Sequence, residues 1–94
     1  REAEEEWHRL VDITERKWEE MHDLFEQKNK YFYQRMELER EDFDTEEAYQ
    51  AEYERLELKY EEAMKEYEKA REEWKEAEKR EQEAYERYDR KRRA

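Results

Sequence analysis

The sequence contains no Gly, Pro or Cys, and no Ser. A chain of 94 residues would on average carry roughly seven Gly and five Pro. Tight turns with positive φ are left without their usual residue, which argues against strands joined by hairpins. Val11, Ile13, Thr14 and Thr45 are the only β-branched residues, so strand formers are scarce as well. The lack of Cys removes disulfides and thiolate chemistry and leaves the redox compartment open. With neither Ser nor Cys, and no Thr beside a His in sequence, nucleophilic catalysis has almost nothing to work with. Phosphate-cradling loops need Gly. The chain is therefore expected to be no enzyme, with no catalytic residue and no cofactor. No apolar run approaches the roughly 20 residues of a membrane span, and no signal peptide is visible. The expectation is a soluble chain with no membrane partner and an unassigned location.

What remains is charge and aromatic rings. Charged residues make up 56% of the chain and hydrophobic ones 34%. That balance alone would suit disorder, but eight Tyr, three Trp and three Phe are too many for a disordered chain, and they are periodic. The rest is dominated by Glu, Lys and Arg, the composition of long helices and coiled coils. The formal net charge of −11 argues against nucleic-acid binding, which needs a basic surface.

The C-terminal half carries a heptad seam of 4-3 spacing. Tyr53, Tyr60, Tyr67, Trp74, Glu81 and Tyr88 form row a; Tyr49, Leu56, Ala63, Ala70, Ala77 and Ala84 form row d. Small Ala lets another helix approach while the rings fill the space on either side. The N-terminal half keeps the same register, with Val11, Trp18, Phe25 and Phe32 at a and Trp7, Thr14, Met21 and Lys28 at d. A third row at g, comprising Leu10, Leu24, Tyr31 and Leu38, widens its apolar face. The predicted seam is thus Trp7, Val11, Trp18, Met21, Phe25 and Phe32 against Tyr49 to Tyr88.

Four consecutive seam positions, Arg35, Glu39, Asp42 and Glu46, are then charged. Within that gap, Asp44 and Glu47 read as a capping box, with Phe43 stapled onto Ala48. One helical domain over 1–94 follows, with helix 1 at about 2–40, a turn at about 41–44 and helix 2 at about 45–92. So short a connection predicts an antiparallel coiled-coil hairpin. The acidic start, Glu2 to Glu6, and the basic end, Arg90 to Arg93, suit their helix dipoles and would lie side by side. The alternative is one unbroken helix in a parallel coiled coil, since the heptad phase runs through the gap. Two helices leave row g, Met64 and Tyr85 partly wet, so the hairpin is expected to dimerise into a four-helix bundle or to take a helical partner.

Three further features bear on function. Glu5 with His8, and Glu19 with His22, have the Glu-x-x-His spacing that places metal ligands on one helix face. With 32 acidic residues that spacing is common, and the remaining ligands are missing, so no metal is predicted. Tyr85-x-x-x-Asp89 in a helical hairpin is similar to the small secreted WXG-type hairpins, but Phe43-Asp44-Thr45 stands where their Trp-x-Gly turn would be. The acidic tip with Asp44 and Glu47 resembles that of Gre-type transcription factors; a cap accounts for the same residues. The leading expectation is a structural or protein-interaction module. A metal- or haem-binding bundle and an acidic nucleic-acid mimic binding a basic protein are the alternatives. The missing Gly, Pro, Cys and Ser, with near-repeating heptads, also fit a designed binder, though designed turns favour Gly or Pro.

Overall fold

The computed structural model describes Arg1–Ala94 and is all-helical: α1 (Glu2–Met36), a 3-10 turn (Arg40–Asp42) and α2 (Glu46–Arg93). The two helices pack against each other as an antiparallel hairpin, so the unbroken rod is not formed. The contacts divide into two units, one of Arg1–His22 with Lys69–Ala94 and one of Asp23–Glu68.

Acids open both helices, Glu2, Glu4 and Glu5 on α1 and Glu46 and Glu47 on α2. Arg90, Lys91, Arg92 and Arg93 close α2; each set matches its end of the helix dipole. α1 ends at Met36, about four residues earlier than its charge pattern suggested. The last turn tightens from an α-type bond, Glu37 N to Tyr33 O at 2.9 Å, to an i→i−3 bond, Leu38 N to Arg35 O at 3.3 Å. No residue takes a positive φ, so the chain leaves the helix without the left-handed cap that Gly would supply. Glu39 and Phe43 are extended on either side of the 3-10 turn, and the connection runs from 37 to 45 rather than 41 to 44.

The cap of α2 also differs from the expected box. Thr45 Oγ1 accepts from Ala48 N at 3.1 Å, which makes Thr45 the capping residue three positions before the satisfied N–H. Asp44 therefore sits one residue outside the helix, and Glu47 is not placed to reach back. Phe43 meets the edge of Tyr49, with ring centres 5.7 Å apart. Arg40 covers the same ring at 5.1 Å and pairs with Glu46 at 3.4 Å.

Burial is sparse. Leu56, Ala63, Ala70, Ala77 and Ala84, the d row of α2, are buried, and Tyr49 is half-buried. On α1 only Ala3 and Thr14 are buried. The Thr14 hydroxyl donates to Leu10 O at 2.9 Å, so the buried oxygen is satisfied within its own helix.

Candidate interaction surface

α1 has three apolar rows, and the structure shows which two face α2. Positions 3, 7, 10, 14, 17, 21, 24, 28, 31 and 35, rows g and d, are all buried or half-buried. Row a lies on the flank: Trp18 is 46% and Phe25 38% exposed, while Val11 and Phe32 are half-buried. The sequence reading had placed row a inward with row d. Both choices have 4-3 spacing; the d/g choice seats Ala3 and Leu10 on the buried face and leaves Trp18 the most exposed ring of row a.

In the unit built from both termini, Trp7 lies between two tyrosines of α2. Its ring stacks on Tyr88 (5.3 Å, 15°) and meets Tyr85 edge-on (5.0 Å, 60°), arrangements favoured by the ring quadrupoles. Glu6 accepts from Arg87 at 2.9 Å, bringing the acidic start and the basic end together as the dipole pattern implied. Lys17 reaches Glu73 at 3.3 Å. Trp74 is half-buried. Asp89, the acid of the Tyr-x-x-x-Asp pattern, is held by Arg92 (2.7 Å) and Arg93 (3.2 Å).

In the tip unit the cations at d replace apolar knobs. Lys28 Nζ lies 4.5 Å from the Phe25 ring centre and 5.5 Å from that of Tyr67. The Arg35 guanidinium lies within 5.6 Å of Phe32, Tyr53 and Tyr60. Phe25 meets Tyr67 at 5.7 Å and Phe32 meets Tyr60 at 5.8 Å. Arg35, read from sequence as the loss of the seam, is part of it, because a guanidinium on aromatic faces is a favourable core contact. The signal was present in the sequence: cations at d opposite a row of tyrosines.

The metal candidates take other roles. His8 Nε2 lies 3.5 Å from Glu4 Oε1, one turn back, rather than joining Glu5, and its ring lies beside Trp7 at 4.9 Å. His22 stacks on Trp18 at 5.0 Å with the planes 5° apart. Glu5 and Glu19 are exposed. No three His, Cys, Asp or Glu side chains come together as a metal site.

No known protein family, curated protein or solved structure matches the chain. The surface itself is what can be read. Within the unit built from both termini, row a of α1 leaves Trp18 exposed, its ring stacked on His22. In the tip unit Phe25 and Phe32 of the same row reach Tyr67 and Tyr60 of α2 from the edge of the seam.

Proposed function

We propose that the chain is a structural, non-catalytic interaction module whose exposed Trp18 face on α1 receives another α-helix. The observation that carries this is the 46% exposure of Trp18, stacked on His22, on a helix whose rows d and g already face α2. An exposed indole with an imidazole on its face offers a partner a flat aromatic surface.

The total accessible surface supports the same reading. The chain exposes 7590 Å² at a mass of 12.3 kDa. A monomeric globular protein of that mass exposes roughly 6,100 Å². The excess, on the order of 1,500 Å², exceeds the roughly 800 Å² that each partner buries in a standard interface.

Sedimentation equilibrium of the full chain over a wide concentration range tests the proposal, with the chain itself as the available helix. The expected result is a mass that rises to a defined oligomer. A mass of one chain at every concentration would contradict it.

A further inference from the structure

We infer that the tip unit, Asp23–Glu68, docks a basic amphipathic helix of another protein on the exposed end of α1. Trp18 belongs to the other unit, so this surface goes beyond the reading above. An apolar patch and an imbalance of charge within the one unit carry the inference.

The patch is Tyr33 and Met36, 59% and 65% exposed. Three residues apart, they are neighbours on the helix surface. Neither belongs to rows d and g, whose members at 24, 28, 31 and 35 are all half-buried. The Tyr33 ring meets Phe32 edge-on at 5.7 Å, and Phe32 reaches Tyr60 of α2. The patch is thus backed by rings that are already packed. Met adapts its unbranched chain to an apolar partner, and Tyr offers a wide ring with a polar tip.

Charge selects the partner. The tip unit holds 16 Asp and Glu against 7 Lys and Arg, whereas the other unit holds 16 against 14. Nine of the eleven net negative charges therefore belong to the tip unit. Seven carboxylates stand between Glu37 and Glu47 against Arg40 alone, and Arg40 is taken by Glu46 at 3.4 Å. The carbonyl end of α1 adds a partial negative charge just past Met36. Its last-turn cation, Arg35, is turned onto the rings of Phe32, Tyr53 and Tyr60. An exposed apolar patch in an uncompensated negative field suits a helix whose apolar stripe is bordered by Lys and Arg.

A second copy does not supply that helix. Two tips repel each other. The basic run Arg90–Arg93 is matched within its own unit, where Asp89 holds Arg92 and Arg93, Glu6 holds Arg87 and Glu2, Glu4 and Glu5 stand nearby in the sequence of α1's first turn. Neither unit carries net positive charge, so the occupant is a different, basic protein.

The probe is a labelled peptide of Leu and Lys in amphipathic helical order, titrated with the full chain at physiological salt and read by fluorescence anisotropy. A peptide of the same composition, reordered to have no apolar stripe, is the comparison. The inference expects the ordered peptide to bind roughly ten-fold more tightly than the reordered one. A Tyr33→Ser, Met36→Ser chain should bind it roughly ten-fold more weakly, as should a Glu39→Gln, Glu41→Gln, Asp42→Asn chain. The second variant changes only the connection between the helices, so it reads the site even if the first loses helix. Trp18→Ala should stay within about two-fold of wild type. Equal binding of the two peptides, or full affinity in both variants, would show attraction by net charge alone and overturn the inference. So would no binding at all. Loss of binding on Trp18→Ala would place the peptide on the other unit, overturning the inference while the interaction reading stands.

Discussion

The Arg35 guanidinium of α1 lies 5.4 Å from the ring centre of Tyr60 on α2, in a seam position that an apolar side chain would ordinarily fill. The contact joins the two helices near the tip, where burial by apolar groups is thin. A half-buried cation on aromatic faces contributes about 0.5–2 kcal/mol. Arg35→Met, which keeps an unbranched stem and removes the charge, is expected to lower the unfolding free energy by about 1 kcal/mol. In a double-mutant cycle with Tyr60→Leu, urea unfolding should give a coupling of about 0.5–1 kcal/mol. Zero coupling would mean that only the stem of Arg35 matters.

The start of α2 separates two residues adjacent in sequence. Thr45→Ala removes the acceptor of the Ala48 N–H and is expected to cost about 1 kcal/mol. Asp44→Ala, outside the helix, should stay within about 0.5 kcal/mol of wild type. Thermal melts of the two variants decide between Thr45 and the Asp44 box; a larger loss for Asp44→Ala would restore the box.

How much of this was legible beforehand differs by element. The helices followed from missing Gly and Pro and from the 4-3 spacing. The α2 seam was readable row by row, because its d row holds only Tyr49, Leu56 and four alanines, and no other row competes with it. α1 was ambiguous for the opposite reason. Rows g, d and a are all apolar enough to face inward, and spacing cannot choose between two stripes of equal period. Packing chose, by seating Ala3 and Thr14 against α2 and leaving Trp18 outside. The tip misled because charge was read as solvent exposure, whereas Arg35 is half-buried on tyrosine rings.

The alanine row sets the closeness of the helices. Ala63 is buried at 4% exposure, and Ala63→Leu forces extra carbons between α1 and α2. A loss of about 1–3 kcal/mol is expected, while Ala51→Leu, at an exposed position, should change stability by less than about 0.5 kcal/mol. Chemical denaturation of both variants checks the contrast; equal effects would contradict the placement of row d.

On the surface of α2, the Arg55 guanidinium donates from Nε to both Glu52 oxygens at 3.1 Å. This hydrogen bond, with the Arg55 charge behind it, holds the Glu52 carboxyl below the usual glutamate range. A depressed folded-state value stabilises the fold above the unfolded-state value, and that contribution is lost as pH falls through the folded one. Carbon-detected NMR titration should show Glu52 protonating at lower pH in the wild type than in an Arg55→Ala chain. A Glu52 titration that is the same in both chains would contradict the pairing.

The central claim is that Trp18 serves a second molecule and not the hairpin's own seam. The most direct measurement is the sedimentation-equilibrium mass of a Trp18→Glu chain beside wild type, with helical content followed by circular dichroism. The account predicts a helical chain at the single-chain mass of 12.3 kDa, where wild type gives a higher mass. A variant that keeps the wild-type mass, or that loses its helices along with the association, would contradict the claim.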